Sequence, residues 1–262
     1  MTNCIRNKPL FYIVLLTTQN DFMKDSRIVK YLKHQSFQPD ILSLFLNPFF
    51  FIRYSYYKNI KRFIPQLKGK LLDFGCGRKP FEDLFTVEKY IGVDLQNTGH
   101  DHKHSKVDVY YDGKHLPFDN ETFDSLFCSE VLEHIFDADK ILPEINRVLK
   151  PGAKALITVP FSWIEHETPY DYARYSSFGI KYLLEKNGFK IEEHKKCGTF
   201  ARVNFQNWAL YFFELFKKWG MTGYILSLLF IAPINIIGSL LLIIMPKNET
   251  LYFTNIILAE KT

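Results

Sequence analysis

The segment from Leu71 to Gly77, with the sequence Leu-Leu-Asp-Phe-Gly-Cys-Gly, constrains the fold more than any other stretch of this chain. Its apolar first half predicts a buried β-strand, and its two glycines predict a sharp turn with left-handed backbone angles. Without Cβ atoms at Gly75 and Gly77, the main chain can lie directly against a ligand. A strand, a glycine turn and a following helix are typical of a nucleotide-type site at the carboxyl edge of a parallel sheet.

Further motifs follow in the order in which a parallel sheet would bring them to the same edge. A second apolar run ends at Asp94, whose two carboxylate oxygens match the cis-diol of a ribose. The segment Asp112 to Phe118 supplies a third acid at the distance expected of an adenine contact. Another apolar run predicts a strand that ends at Ser129, and Glu130-Val131-Leu132-Glu133-His134 comes directly after it.

Five motifs in this order resemble the class I S-adenosylmethionine-dependent methyltransferases, and most closely their type 11 branch. They read DFGCG, IGVD, D-x3-LPF, FD-x3-CSEVLEH and RVLKPGA, and the resemblance covers roughly residues 47–195 and, weakly, the last strand. Many members carry a third glycine after the first pair, whereas Arg78-Lys79-Pro80 follows here. That departure also argues against a dinucleotide site, which would need glycine at Pro80.

The resemblance implies a fold, a cofactor and a set of binding residues. The fold is α/β, a doubly wound and mostly parallel seven-stranded Rossmann-like sheet, and the cofactor is S-adenosyl-L-methionine. Asp73, Gly75 and Gly77 would hold its methionine end, and Asp94 would hold the ribose. Asp112 and the Gly113 backbone would flank the adenine, and Ser129 would lie near the sulfur.

The loop after the predicted fifth strand is dense in polar and aromatic residues and resembles the H-E-x-P-x-D-x-x-R segment of type 11 relatives. Within it His166 is the candidate general base, because an imidazole titrates near neutrality and can take a proton from a hydroxyl. Glu167, Asp171 and Arg174 are either contacts to the methyl acceptor or a structural ion network that fixes the loop. His134 is interpreted as a structural histidine, and no metal site is predicted.

Composition and charge limit which binding partners and which cellular compartment are expected for this protein. The net charge is +5, and the Lys and Arg residues are scattered without the aromatic interleaving of a nucleic-acid surface. Nucleic acid is therefore not expected as a partner. The four cysteines are far apart, which fits a reducing, cytoplasmic compartment. The tract from His100 to His104 is interpreted as a solvated loop in preference to a metal-binding tract.

Hydrophobic patterning predicts alternating strands and helices. Strands are expected near 70–74, 89–94, 105–110, 124–129 and 153–160, another from Phe189, and a last, antiparallel strand over 251–261. One helix, with apolar residues from Ile141 to Leu149, should stop at Lys150-Pro151-Gly152, and another should cover 178–186. A leading helix over 47–60 is expected either above the ligand mouth or packed on the sheet edge.

The chain ends are rich in apolar residues. Leu10–Leu16 is too short to span a bilayer, whereas residues 224–245 contain no charged residue. Pro233 and Asn235 near the middle of that segment favour a turn, so it is interpreted as a helical hairpin inserted before the last strand. It would be either a lid or an attachment to the inner face of the membrane through 200–245. The predicted organisation is an extension (1–46), the cofactor-binding core (47–199), the insertion (200–248) and the last strand (249–262).

Together these features predict O-methylation of a small, saccharide or lipid-linked acceptor. Two alternatives remain at this point. One is a nicotinamide-dependent oxidoreductase on a similar sheet, which the missing third glycine disfavours. The other is a membrane-associated protein that binds the cofactor without turnover, which the complete H-E-x-P-x-D-x-x-R loop disfavours.

Overall fold

The computed structural model describes residues 31, 34–96 and 106–262. The chain forms two compact units. The first, called the sheet unit below, comprises Asn59–Cys197 and Thr254–Thr262. The second, called the helical unit, comprises the described residues up to Lys58 and Gly198–Phe253.

The elements are numbered from residue 43. The α-helices are α1 Ser43–Leu46, α2 Phe50–Phe63, α3 Ala138–Val148, α4 Ser177–Lys186, α5 Phe200–Phe216 and α6 Gly220–Ile244. The strands are β1 Lys70–Phe74, β2 Lys89–Leu95, β3 Val109–Tyr111, β4 Phe123–Ser129, β5 Leu149–Pro160, β6 Phe189–Cys197 and β7 Thr254–Lys261. Short 3₁₀ turns cover Ile64–Gln66, Glu82–Leu84, Leu132–His134 and Lys217–Trp219.

The sheet unit is built on a seven-stranded sheet with the order β3-β2-β1-β4-β5-β7-β6. β1 pairs in parallel with β2 and β4, β2 with β3, and β4 with β5, whereas β7 runs antiparallel between β5 and β6. This arrangement confirms the predicted mostly parallel sheet. It also places the carboxyl ends of β1, β2 and β4 at one edge, so their polar residues meet there.

The core of the sheet unit follows from the periodicity of the sequence. Ile141, Leu142, Ile145 and Val148 recur at helical spacing in α3 and are all buried. They belong to one hydrophobic cluster with residues of β1, β4, β5 and β7, among them Leu72, Leu126, Ala155 and Ile257. Ser176 caps α4 by accepting a hydrogen bond from the Gly179 N–H (3.1 Å).

The glycine turn after β1 is not followed by a helix, which corrects the sequence prediction. Between β1 and β2 the chain forms only the 3₁₀ turn Glu82–Leu84. Lys79 has a φ of +52°, a left-handed angle that cannot continue a right-handed helix, and Pro80 has no N–H to donate. Arg78-Lys79-Pro80 therefore changes the backbone at the point where a helix was expected.

Several predicted boundaries also differ. β5 begins at Leu149 and includes Lys150-Pro151-Gly152, because Leu149 pairs with Phe123 before a register shift that precedes Ser125. α2 begins three residues later than predicted, since the Asn47 carboxamide accepts the Phe49 N–H (2.8 Å) in the preceding turn. β7 begins at Thr254, and β3 covers only Val109–Tyr111. The tract 100–104 and the run 10–16 lie outside the described residues.

In the helical unit, residues 224–245 do not form the predicted hairpin; residues 224–244 lie in the single helix α6, which pairs with α5 instead. α6 runs unbroken through Pro233 and Asn235, and the turn between α5 and α6 is Lys217–Trp219, followed by Gly220 with a φ of +62°. Asn235 does not make a turn, because its buried amide donates to the carbonyls of Leu44 (3.1 Å) and Asn47 (3.0 Å). The α5 and α6 helices pack through stacked rings of Phe212 and Phe230, 4.3 Å apart.

The two faces of α6 have the reverse of the composition expected for a helix in water. Its buried positions are mostly small or polar: Gly223, Ser227, Ile231, Asn235 and Gly238. Its exposed positions are large and apolar, including Ile225, Leu229, Ile237, Leu240, Ile243 and Ile244, which are 54–79% exposed. A helix that packs through small residues and presents aliphatic residues outward is typical of an apolar solvent.

Candidate active site

The two glycines of the first motif have different surroundings. Both have positive φ, +74° at Gly75 and +50° at Gly77, as the predicted turn requires. A Cβ at residue 75 would overlap the Val131 side chain, whereas a Cβ at residue 77 would meet nothing within 4 Å. Gly75 is therefore needed for packing, and Gly77 leaves open space beside the backbone.

Asp73 lies at the end of β1 with a side chain that is almost fully buried. One of its oxygens accepts a hydrogen bond from the Tyr90 hydroxyl (2.5 Å). Burial raises the pKa of Asp73 to about 7, and the bond from Tyr90 only partly opposes this shift. The carboxyl of Asp73 can therefore change its charge near neutral pH.

Lys79 and Asp108 form a pair beside Asp73 that the sequence analysis missed. The Lys79 ammonium donates to Asp108 (2.5 Å) and lies over the Tyr90 ring, 5.1 Å from its centroid. Asp108 also accepts the Gly92 N–H (2.7 Å). The two residues are 29 positions apart, and neither belongs to a recognisable motif, so no sequence signal marks their contact.

Asp94 and Gly77, predicted as cofactor residues on separate strands, meet in the structure. One Asp94 oxygen accepts the Gly77 N–H (3.0 Å), and the other accepts the Leu95 N–H (2.8 Å). The carboxylate thus lies at the mouth of the glycine turn. With open space at Gly77 and acceptor oxygens beside it, the residues present fit a ligand that carries a ribose.

Asp112 and Gly113 form the next turn along the same edge. An Asp112 oxygen accepts the N–H groups of Lys114 and His115 (both 2.8 Å), and these bonds lower the pKa of Asp112. A Cβ at Gly113, whose φ is +86°, would lie 3.0 Å from the Leu95 side chain. The turn therefore packs against the residue after Asp94, while Ser129 ends β4 opposite Thr158 of β5.

In the loop after β5, Asp171 and Arg174 form the structural ion network that was one of the two predicted alternatives. Arg174 donates to both oxygens of Asp171 (2.5 and 2.7 Å) and also to the carbonyl of Ile164 (2.9 Å). The His166 N–H donates to Asp171 (2.8 Å). Burial alone would raise the pKa of Asp171, but these bonds outweigh it and lower the pKa to about 2.

His166 lies against a second histidine. Its ring makes an edge contact with the His134 ring, with centroids 4.7 Å apart. Burial and the nearby His134 lower the pKa of His166, so its imidazole is neutral at neutral pH. The pairing could have been found in the sequence, because His134 follows β4, His166 follows β5, and these strands are neighbours.

Glu133 is a further residue at this place that was not predicted. Its side chain is 0% exposed, and one of its oxygens lies 3.7 Å from His134 Nε2. Burial and the nearby Glu130 raise the pKa of Glu133 well above its usual range. The structure therefore brings Glu133 and two histidines together at the carboxyl ends of β4 and β5.

Comparison with known proteins identifies the family. Residues 51–208 match a protein-family model described as a methyltransferase domain, and this stretch is well over half of the chain. This chain belongs to the class I S-adenosylmethionine-dependent methyltransferases. Its cofactor is S-adenosylmethionine, as the five motifs predict. The alternative of a nicotinamide-dependent oxidoreductase is therefore dropped.

Individual relatives are similar over part of this methyltransferase. A probable S-adenosylmethionine-dependent methyltransferase of Mycolicibacterium smegmatis is 27% identical over 47% of this chain and 52% of its own. Phosphoethanolamine N-methyltransferase 2 of Caenorhabditis elegans is 33% identical over 39% of this chain and 26% of its own. The solved Haemonchus contortus phosphoethanolamine N-methyltransferase 2, in complex with S-adenosyl-L-methionine, aligns with a TM-score of 0.45 and 19% identity over 87% of this chain and 60% of that one. The chain spans about half the length of the curated relatives that it matches first.

Proposed function

We propose that this methyltransferase transfers a methyl group to an oxygen of a small acceptor, either a saccharide or a lipid-linked molecule, at a membrane surface. The observation that carries the proposal is the meeting of Asp94 with the open glycine turn at Gly77. This turn follows β1, and His166 lies in the loop after β5, with β4 between the two strands. A cofactor cradle and a neutral imidazole at the same sheet edge are what methyl transfer from a sulfonium to a hydroxyl requires.

The chain's own residues would hold the cofactor at one sheet edge. Bound S-adenosylmethionine supplies an already electrophilic methyl group, so the protein has to position a nucleophile and accept its proton. Asp94 would bind the ribose hydroxyls, and the turn of Asp112 and Gly113 would flank the adenine. Asp73, Gly75 and Gly77 would hold the methionine end, and Ser129 would lie near the sulfur.

His166 is the group that we propose for the proton of the acceptor hydroxyl. The lowered pKa keeps its ring neutral and able to accept a proton. Its Nδ1 lies 3.2 Å from an Asp171 oxygen, and Asp171 is itself fixed by Arg174, so the ring orientation is set by the loop. Glu167, whose oxygen lies 3.9 Å from His134 Nε2, is the loop residue that we propose for acceptor contact.

The membrane surface is proposed from the composition of the helical unit. By length and composition, the helical segment Phe200–Ile244, which contains α5 and α6, is apolar enough to cross a membrane, with a mean hydropathy of 2.4 in its most apolar window. Yet β7 follows this segment and pairs with β5 and β6, so the segment has to return to the side from which it started. A hairpin lying in the interface satisfies both observations, with Lys217, Lys218 and Trp219 at its turn.

A label-transfer experiment tests this function. The full-length protein is incubated with S-adenosylmethionine labelled in the methyl group, with either a total lipid extract or a low-molecular-mass saccharide fraction, and products are separated by phase partition. We expect alkali-resistant label, as in a methyl ether, in one of the two fractions, and none with the Asp94→Ala variant. Alkali-labile label would indicate a methyl ester. Label in a basic amine would contradict O-methylation, and cofactor binding without transfer would indicate the non-catalytic alternative.

A further inference from the structure

The Glu133 carboxyl group is buried without a hydrogen-bond partner. Both of its oxygens are inaccessible to solvent, and neither accepts a hydrogen bond from any residue that the structure describes. Burying a carboxylate in this way is unfavourable unless a cation or a proton neutralises it. The nearest basic group recorded is His134 Nε2, and at 3.7 Å it is too far for a hydrogen bond.

His134 presents a nitrogen lone pair toward this carboxyl group. Its Nδ1 lies 2.8 Å from the carbonyl oxygen of Tyr170, which can only accept. In the neutral ring, Nδ1 therefore carries the hydrogen and Nε2 carries the lone pair. A histidine whose outer nitrogen donates to a carbonyl group is oriented as metal-binding histidines are.

His166 is oriented in the same way. Its Nδ1 lies 3.2 Å from an Asp171 oxygen and 3.3 Å from the Ile164 carbonyl oxygen, and both groups accept. Arg174 NH2 is also 3.5 Å from this nitrogen, but its two hydrogens already go to Asp171 and Ile164. Nδ1 of His166 thus donates, which leaves Nε2 as the atom with a lone pair.

We propose that Glu133, His134 and His166 bind a divalent transition-metal ion. One ligand atom from each residue lies within 4.8 Å of the other two. Small rotations would bring these atoms to the ~2.0–2.2 Å ion distances of nitrogen and carboxylate ligands. Two imidazoles and one carboxylate favour zinc, cobalt or iron(II) over magnesium or calcium. Three protein ligands leave a position open, as in catalytic metal sites.

The ion would act on the acceptor, and this role rests on the proposed function. An acceptor hydroxyl at the open position would lose its proton to solvent more readily because the ion lowers its pKa. The oxygen–methyl bond would then form as the methyl–sulfur bond breaks. In the metal-loaded enzyme His166 is a ligand, and the ion replaces it as the group that promotes loss of the proton.

The proposal is tested by titrating the chelator-treated, full-length protein with Co²⁺ and Zn²⁺ by calorimetry, and by following the visible absorption of bound Co²⁺. We expect one equivalent of tight binding, weakened at least tenfold in Glu133→Gln and in His134→Ala. Glu133→Gln keeps the shape of the side chain, and thermal unfolding checks that both variants fold. Titration with S-adenosylhomocysteine should be unchanged in both, so loss of metal binding is distinguishable from failure of the cofactor site.

Two control variants separate this site from other histidines. His115→Ala removes an exposed histidine that lies 3.8 Å from Glu144, and it should bind as the wild-type protein does. A variant with His100, His102 and His104 all replaced by Asn removes the histidine-rich tract, and it should also bind normally. No saturable binding by the wild-type protein, or binding lost only in the tract variant, would overturn the proposal. Glu133 would then be a buried, protonated carboxyl group.

Discussion

At the scale of single residues, Gly75 and Gly77 share a motif but serve different purposes. The Cβ of an alanine at 75 would overlap Val131. The Cβ of an alanine at 77 would instead enter the open space beside Asp94 where the cofactor is proposed to bind. Alanine at either position also has to adopt a positive φ, which costs about 1–3 kcal/mol. The two substitutions therefore separate folding from binding.

We expect Gly75→Ala to lower the midpoint of thermal unfolding by much more than Gly77→Ala does. Gly77→Ala should instead weaken the binding of S-adenosylhomocysteine at least tenfold while the protein stays folded. Thermal unfolding and calorimetric titration on both variants measure the two effects. Equal loss of affinity with equal loss of stability would show that the open space at Gly77 is not used by the cofactor.

Asp73 should make stability depend on pH. The pKa of this carboxyl group is about 7 in the folded protein, compared with 3.8 for an unperturbed aspartate. Between these values the folded state holds a proton that the unfolded chain has released, so the free energy of unfolding falls as pH rises through this window. The total change is on the order of a few kcal/mol, and it levels off above the folded pKa.

The Asp73→Asn variant should lack this pH dependence of the free energy of unfolding, because asparagine does not titrate. We expect the variant to gain stability relative to the wild-type protein as pH is raised from 4 to 7, as measured by urea denaturation at several pH values. Asp112→Asn, which changes an exposed aspartate in a turn, is the matched control and should not show this gain. Parallel profiles for Asp73→Asn and the wild-type protein would mean that the Asp73 carboxyl is ionised throughout.

The residues of the candidate site could be predicted from the sequence where a local motif marks them. They could not be predicted where their role depends on a contact between residues that are distant in the sequence. Asp94 follows a short apolar run, and the structure places it at the glycine turn as expected. The contacts of Lys79 with Asp108 and of His134 with His166 depend on which strands are neighbours. No sequence signal marks Glu133, because its importance comes from burial without a hydrogen-bond partner among the described residues, and burial of a single acid cannot be predicted from its sequence neighbours.

At the scale of elements, the loop after β5 is held by one buried carboxylate. Asp171 accepts from both Arg174 and the His166 backbone, so a single residue fixes the two ends of the segment that carries the candidate base. Removing one partner of this partly buried ion pair is destabilising, because the remaining charge stays unpaired.

Asp171→Asn should loosen this loop without unfolding the sheet. We expect faster hydrogen exchange over residues 162–174 and at least a tenfold loss of turnover, with binding of S-adenosylhomocysteine nearly unchanged. Glu165→Gln is the control, because Glu165 lies in the same exposed loop and has no hydrogen bond or ion pair with the part of the chain that the structure describes. If Asp171→Asn exchanges and turns over like the control, Asp171 does not position the loop.

Elements were predicted well where the pattern of apolar residues decides them. The strands and α3 follow this pattern, whereas the hairpin turn was misplaced because Pro233 and Asn235 were interpreted by local preference alone. Asn235 is used instead to bind two carbonyl groups of a distant segment, and this tertiary contact overrides its tendency to turn. The helix that was expected after β1 is missing because Lys79 takes a left-handed angle and Pro80 follows it, and the short local pattern of the sequence did not indicate that angle.

At the scale of the whole molecule, the outward face of α6 predicts attachment to lipid. We expect the full-length protein to float with vesicles that contain anionic lipid. Replacing Leu229, Ile237 and Leu240 together with Ser should reduce flotation about tenfold or more, because each removes apolar area from the interface. High salt should weaken binding as well, since Lys217 and Lys218 at the hairpin turn would contribute roughly 1 kcal/mol each near anionic lipid.

The matched control uses Phe178 and Tyr182, which are as exposed as the α6 residues but lie on α4 of the sheet unit. The variant with both replaced by Ser should float as the wild-type protein does. Flotation that is equal for all three proteins, or absent for the wild-type protein at low salt, would leave α6 as an element that packs without lipid.

The position of β7 has a consequence for the order in which this molecule is made. Among the described strands, β6 pairs only with β7, and the ribosome has to add all of residues 198–253 before β7 exists. At a translation rate of about 5–20 residues per second, β6 stays unpaired for roughly 3–11 s. The apolar hairpin is completed during that interval, so the lipid attachment proposed above would form on a nascent chain whose sheet unit is still unfinished.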